Sequence, residues 1–495
     1  MARTLGSLWW ALLWLSAACL PAVGPAAPSA YVQVLSLEQA RSLGGGALAA
    51  DLDAKDERLA VRAALAIGRS KRQAGETALV AHLRDPRAAV RAMSLYGIGL
   101  IASGRSASAI LNGLADPNGA VRIAALDATD RYEAAQRFPG RADLSALDRT
   151  LGLLAGDPDP TVRARAAATL ESFYFSAGAD SAARGLVRAV GTDTSEHVRR
   201  FAMWTIFRGY ATLVPRAFLA NMLRDRDEVV RIEAVRAVGK RRNASDVALV
   251  QPMLGDPSWR VQEQAAETIR VLQGKSMTQH WTAIPPFMHI PPMRADPLRS
   301  LPALPRVHLS GRPGRPSPSR AILEPKLDPS TAQAMSAPAH GSHPRVRIVT
   351  TKGNLYVVLF PEWAPLTVEN FLNLADRGYY DRNRWFRIVP DFVVQTGDPN
   401  DNGNGDAGYS IGAEENPIMQ DSYVISMGMN YTDPPNAHAI RDSAGTQYYV
   451  TLSPQLHLDR DFTVFGEVTG GFDVLGRLIE SDRVLRIERV PDETL

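Results

Sequence analysis

A chain of 495 residues is too long for one hydrophobic core, so two or more domains are expected. Its 45% hydrophobic and 22% charged residues are those of ordinary globular protein. With 55 basic against 52 acidic side chains the net charge is only +3, which gives no electrostatic basis for nucleic-acid binding, and a single cysteine excludes an internal disulfide.

After Arg3 no charged residue occurs until Glu38, and the run L-G-S-L-W-W-A-L-L-W-L-S-A-A-C-L between them is of signal-peptide type. Export to a bacterial periplasm or cell envelope is therefore expected, with residues 1–30 as the targeting segment. Ser16-Ala17-Ala18-Cys19 resembles the lipobox of bacterial lipoproteins, although that family prefers leucine where Ser16 stands. Three fates stay open: lipidation of Cys19 with a membrane tether, cleavage in the small residues beyond it, or retention as an anchor.

Residues 31–274 carry an internal repeat. An aspartate stands five residues before a valine in seven units, at Asp56, Asp85, Asp116, Asp157, Asp193, Asp225 and Asp256. The units lie 29 to 41 residues apart, and proline follows the aspartate in four of them. A fixed offset within variable spacing implies one helix start joined by loops of different length, with the aspartate favouring the helix N-terminus. Val230, Ala234, Ala237 and Val238 form the apolar stripe of the sixth unit, and Gly239 is placed to end its helix. Arginine follows the valine in six units; such residues are expected to bridge to the aspartate of the next turn and hold the register. The pattern resembles HEAT repeats, which implies an α-solenoid with a surface for a protein partner.

Residues 275–345 contain I-P-P-F-M-H-I-P-P-M and G-R-P-G-R-P-S-P-S-R. Proline without period cannot continue a helix or enter a sheet interior, so a partly extended linker is expected, with Trp281 to Met293 packing back as a cap.

Beyond it, R-V-R-I-V-T-T-K-G-N-L-Y-V-V-L-F reads as two strands about a turn at Lys352-Gly353. A helix beginning at Thr367 places Val368, Phe371, Leu372 and Ala375 on one face. The stretch W-F-R-I-V-P-D-F-V-V-Q-T-G-D then sets Arg387 and Gln395 on an apolar strand pair, on one face if Pro390-Asp391 makes the turn. Gly397 to Gly408 reads as a glycine-rich turn, since its acidic residues lack the spacing of a calcium loop.

Residues 346–495 resemble a cyclophilin-type peptidyl-prolyl cis/trans isomerase, from the strand pair just quoted through G-T-Q-Y-Y-V-T-L and L-D-R-D-F-T-V-F-G-E-V-T-G-G-F-D-V-L. The resemblance implies a multidomain fold: an all-α HEAT-like solenoid followed by a cyclophilin-like closed β-barrel with two helices. It implies Arg387 as the catalytic arginine, Gln395 as its orienting partner and Phe392 beside them. It assigns substrate binding to Val393, Met429, Gln447, Tyr449, His457, Leu458 and Phe462, and calls for no cofactor and no metal. The family usually has methionine at Val393, asparagine at Met429, phenylalanine at Tyr449, tryptophan or another residue at His457 and histidine at Phe462. Loss of the asparagine removes a backbone contact to substrate, and Tyr431 to Gly445 form an inserted loop beside the site that could shape peptide specificity. The expected function is isomerisation of X-Pro bonds in exported proteins, the solenoid recruiting clients or partners. The competing reading is a scaffold that binds proline segments without turnover.

Overall fold

The computed structural model describes residues 30–136, 142–275, 343–401, 403, 405–431, 439–459 and 461–490. The apolar N-terminal run with Cys19, the proline-rich segment with its cap and the tip of the inserted loop lie outside the described residues.

The valines open seven helices: Glu57–Ser70, Ala88–Ile101, Gly119–Ala134, Pro160–Thr169, Glu196–Thr205, Glu228–Lys240 and Trp259–Leu272. Asp56 caps the first directly, accepting from the Arg58 N–H at 2.9 Å. In the later units the repeat aspartate sits two residues before the N-cap. It accepts the backbone N–H two residues on, as in Asp116 with Asn118 and Asp157 with Asp159, both at 2.9 Å. Each such turn ends a loop where the next helix begins.

The arginine after the valine makes the expected ladder. Arg91 holds both oxygens of Asp116, Arg122 those of Asp157, Arg163 those of Asp193 and Arg231 those of Asp256, at 2.7 to 3.0 Å. The same guanidinium also donates to the carbonyl of its own unit's aspartate, Arg122 to Asp116 at 2.8 Å, so one side chain ties two successive loops together. Arg62 departs from the pattern and turns to Glu38 and the Glu362 carbonyl instead. Because Arg122 is mostly buried and Asp157 nearly wholly so, Arg122→Ala should destabilise the fold by about 2 kcal/mol in urea unfolding. Loss below a few tenths would show the ladder to be decorative.

Small residues set the helix spacing. A Cβ on Gly68 would stand 2.5 Å from the Gly97 Cα, so these two helices cross backbone to backbone. Val230, Ala234, Ala237 and Val238 are fully buried. Gly239 does not end its helix, which runs on to Lys240; it lies inside the last turn because its missing side chain admits Thr268 from the next repeat.

The C-terminal half is one antiparallel sheet of β1 (Arg345–Thr350), β2 (Gly353–Leu359), β3 (Arg387–Val389), β4 (Val393–Thr396), β5 (Val424–Met427), β6 (Tyr448–Thr451), β7 (Val464–Gly470) and β8 (Val484–Val490). Their order is β3-β4-β6-β5-β7-β2-β1-β8. The expected closed barrel is therefore corrected: the sheet curls into a half-barrel. Its end strands β3 and β8 share no ladder, and a single isolated bridge, Arg384 to Arg483, joins the segments before them. Among the described residues strand β3 pairs only with β4, from Arg387 to Val389. Strands β1 and β2 alternate inward and outward, with Val346, Ile348, Leu355, Val357 and Leu359 pointing in. The helix Pro365–Asp376 fills the curl, and Phe371 meets Tyr380, Tyr448 and Phe465 with ring centroids 5.3 to 5.4 Å away. The second helix, Phe472–Leu475, is a single turn.

The sheet domain packs against the stacked repeat helices. Arg69 donates to the carbonyls of Trp363, Glu414 and Glu415; Arg165 pairs with Asp459; Arg260 pairs with Asp391. Arg441 and Asp442, from the inserted loop, bind the Arg69 carbonyl and Arg41, so the described end of that loop docks on the solenoid.

Two carboxylates share Arg165: Asp127 of the solenoid and Asp459 of the sheet domain. Burial pushes Asp127 up from the ordinary 3.8 to about 6, with Asp459 and Asp130 adding to the rise and Arg165 and Arg131 opposing it. A carboxyl whose pKa is raised by folding contributes stability at low pH that is lost as pH climbs from about 3.8 through 6. Between pH 5 and 7 Asp127→Asn should therefore gain about 1 kcal/mol relative to wild type in paired urea melts. A difference independent of pH would show that Asp127 is ionised throughout.

Candidate active site

The hairpin β3–β4 makes Arg387 and Gln395 direct cross-strand partners. The turn between them depends on Asp391, a non-glycine residue at φ 52°, and it reverses the chain tightly enough to place Phe392 below the arginine. The Arg387 guanidinium lies 5.4 Å over the Phe392 ring and donates from Nη1 to Gln395 Oε1 at 3.2 Å. Gln395 Nε2 donates to Gln447 Oε1 at 3.0 Å, and Gln447 Nε2 donates to the carbonyls of Gly403 and Gly405, each at 3.0 Å. A relay of amides thus fixes the orientation of Gln395, and with it that of the arginine, from the glycine-rich turn. Gly428 leaves the room: a Cβ there would come within 3.1 Å of Gln395 Nε2.

Arg387 is exposed on its strand, while apolar neighbours take part of its surface from water and pull its pKa below the ordinary arginine value. The phenols of Tyr431 and Tyr449 act in the opposite sense, and the group stays cationic. Phe392, beneath the guanidinium, packs against a separate small cluster of buried Val393, Tyr449, Leu458 and Phe462, which half-buried Met429 and Ala439 also adjoin. The Tyr449 and Phe462 rings meet edge to face at 5.8 Å. The Tyr449 hydroxyl donates to Gln420 Oε1 at 3.3 Å, and Gln420 donates in turn to Ser426 at 2.8 Å, so the extra oxygen of tyrosine is accommodated below the pocket floor.

His457 is the residue placed differently. Its ring lies behind Phe392, stacked on it at 5.9 Å and 16°, and its other face meets Trp204 of the solenoid at 6.1 Å and 18°. It stands between the Phe392 wall and the repeat helices. Sequence reasoning passed over Gln420, and it took Asp391 only as a turn residue and Tyr431 only as part of the inserted loop. Gln420 is far from the motif in the chain, Asp391 passes for an ordinary turn residue, and exposed Tyr431 belongs to the inserted loop. In the glycine-rich turn Asp398 accepts from the backbone N–H groups of Asn400 and Gly403, which is a turn's use of a carboxylate. No cluster of three or more metal-ligating side chains occurs among the described residues.

An apolar cluster beside a cation whose orientation is held by an amide relay suits a protein that receives a prolyl ring and favours the twisted form of the amide before it. Comparisons with known proteins specify the class. Residues 345–491 match the model of the cyclophilin type peptidyl-prolyl cis-trans isomerase family, and residues 216–280 match that of HEAT repeats. The chain is 38% identical over 144 residues to peptidyl-prolyl cis-trans isomerase CYP18-2 of Arabidopsis thaliana, covering 29% of this chain and 85% of that protein. It is 38% identical over 134 residues to peptidyl-prolyl cis-trans isomerase B of Bacillus subtilis, covering 26% and 87%. Among solved structures, a Cryptosporidium parvum cyclophilin type isomerase in the presence of the dipeptide Ala-Pro is 26% identical, with a TM-score of 0.27, covering 30% of this chain and 99% of that one. The chain belongs to the cyclophilin-type peptidyl-prolyl cis-trans isomerase family through its C-terminal domain, residues 345–491, and it joins that enzyme to a HEAT-repeat region.

Proposed function

We propose that Arg387 is the catalytic group of this isomerase and that Gln395 positions it, with Phe392, Val393, Met429, Tyr449, Leu458 and Phe462 receiving the prolyl ring. Rotation about an X-Pro bond passes through a twisted amide whose resonance is lost, with a barrier of about 18–20 kcal/mol. In that state the prolyl nitrogen regains its lone pair and the bond no longer resists turning. A donor aimed at the prolyl nitrogen favours the twisted form over either planar one, and no covalent step is required. The observation that carries the reading is the Arg387–Gln395–Gln447 relay at the rim of the apolar cluster. A locked fork of donors needs no reorganisation when the amide twists.

Exchange NMR of an Ala-Pro peptide with the full chain tests the reading. Accelerated exchange supports it; peptide shifts without exchange would make the domain a proline-binding scaffold, the use to which half-buried Met429 in place of a polar side chain points. We propose further that the clients are exported bacterial proteins and that the solenoid recruits clients or a protein partner, on the strength of the apolar N-terminal run and the repeat class. Fractionation of cells producing the full chain and its Cys19→Ala variant decides location: a membrane-bound protein released by the substitution supports the lipid tether, and a cytoplasmic one removes the export reading.

A further inference from the structure

The side chains of the prolyl pocket belong to the sheet domain, whereas several of the groups that hold their backbone come from the solenoid. Solenoid side chains reach three residues close to pocket residues in the chain: Asp391, His457 and Asp459. Arg260 donates through Nε and Nη2 to Asp391 Oδ1 at 3.0 and 2.7 Å, and through Nη2 to the Leu452 carbonyl at 2.9 Å. Asp391 is wholly buried, and its carbonyl accepts from Arg236 at 3.4 Å, Ser453 at 2.5 Å and Gln455 at 3.0 Å. The left-handed turn that carries Phe392 is therefore clamped on both its carboxylate and its carbonyl, and Arg387 stands four residues before it on the same hairpin. On the other wall Arg165 holds the Asp459 carboxylate at 2.5 Å, Arg131 donates to the Asp459 carbonyl at 3.0 Å, and Leu458 and Phe462 flank that residue. Between the two clamps the Trp204–His457–Phe392 stack runs from the repeat core to the pocket wall.

We propose that the HEAT-repeat face is a built-in positioning platform for the isomerase site, with Arg260 and Arg165 as positioning residues and Trp204 backing Phe392 through His457. This rests on the assignment of Arg387 and its pocket given above. A non-glycine residue held left-handed is unfavourable in isolation by about 1 kcal/mol or more and persists where its surroundings fix it. Here the fixing groups are Arg260 and Arg236 as well as the domain's own Ser453 and Gln455. Releasing the turn lets the hairpin relax and moves the Arg387 guanidinium relative to the prolyl nitrogen, and a shift near 1 Å at a reacting centre can cost about a hundredfold in rate. The apolar pocket itself keeps its side chains, so substrate binding suffers less than turnover.

The test uses the full chain with Arg260→Met, Arg165→Met and Arg387→Ala, reading kcat and KM by exchange NMR on an Ala-Pro peptide and amide hydrogen exchange across both halves. For Arg260→Met we expect kcat down about tenfold with KM within about threefold, and faster amide exchange confined to residues 389–395. For Arg165→Met the loosened segment should be 456–462, with a smaller fall in kcat because Gln420 N–H still holds Asp459. If Arg260→Met does not fold, Arg260→Lys carries the test: one ammonium cannot serve Asp391 and Leu452 with the same fork, so kcat should drop about threefold. Wild-type kcat in a variant whose turn exchanges faster would overturn the proposal. So would a fall in kcat that merely tracks the folded fraction. A wild type without turnover that depends on Arg387 would instead remove the site assignment, and the inference with it.

Discussion

Arg387→Ala should lower kcat/KM for an Ala-Pro peptide by about 10²–10³-fold, while the peptide Kd changes by less than about tenfold. The asymmetry follows from where each interaction acts. Val393, Tyr449, Leu458 and Phe462 form a buried cluster that stays intact without the arginine, so the prolyl ring keeps its apolar receptor. What disappears is a donor aimed at charge that develops only as the amide twists, and a contact made only there is lost from kcat. Arg387→Lys should recover little. A lysine is a point charge on a flexible stem and cannot both engage Gln395 Oε1 and present a second donor in the plane of the fork. Gln395→Ala should cost less than either, since the arginine would remain but lose its cross-strand tether. Exchange rates and peptide titrations on the three variants check the order. Equal losses in Kd and kcat/KM for Arg387→Ala would mean that the arginine binds ground state and twisted state alike.

Much of the site was legible because its residues fall within one hairpin. In W-F-R-I-V-P-D-F-V-V-Q-T-G-D a charged and a polar side chain eight apart straddle a proline turn, and period-2 geometry puts them on the same face; their pairing follows from those local rules. The repeat ladder was legible for a similar reason, as a fixed offset is a local signal that recurs, and Arg91, Arg122, Arg163 and Arg231 all answer it. Three features were not. Closure of the sheet depends on whether the first and last strands find each other, and nothing near β3 encodes that β8 stops short of a ladder with it. Gly239 carries the same letter whether it ends a helix or admits a neighbour, and only the position of Thr268 decides. The meeting of the two halves joins Arg69 to Glu414, 345 residues apart, across a proline-rich segment that breaks any local pattern. Arginines inside an amphipathic helix read as solvated, whereas here several of them face the other domain.

Arg69→Met should cost about 3–5 kcal/mol of stability. Arg69 is wholly buried, and its donors satisfy the carbonyls of Glu415 at 2.7 Å, Trp363 at 2.7 Å and Glu414 at 2.9 Å, with Glu38 as its ion-pair partner. Methionine keeps most of the volume but leaves three carbonyls buried without these donors, each unsatisfied group costing about 1–3 kcal/mol. Glu38 would also keep only Arg62; burial alone would raise its pKa, and the two arginines together hold it below the ordinary value. The damage then passes into the isomerase domain by a short route. The Glu414 carboxylate accepts from the Leu366 and Thr367 N–H groups at 3.2 and 2.8 Å and so caps the helix Pro365–Asp376, whose own N-cap residue, Ala364, offers no side-chain acceptor. Loosening the Glu414-Glu415 segment should therefore raise amide exchange at residues 365–370 and 414–416, while the β1–β2 hairpin, which touches none of these groups, keeps wild-type protection. A loss below about 1 kcal/mol with unchanged exchange at the helix start would mean that the halves are held together elsewhere, and Arg260 with Asp391 would be the contact to remove next.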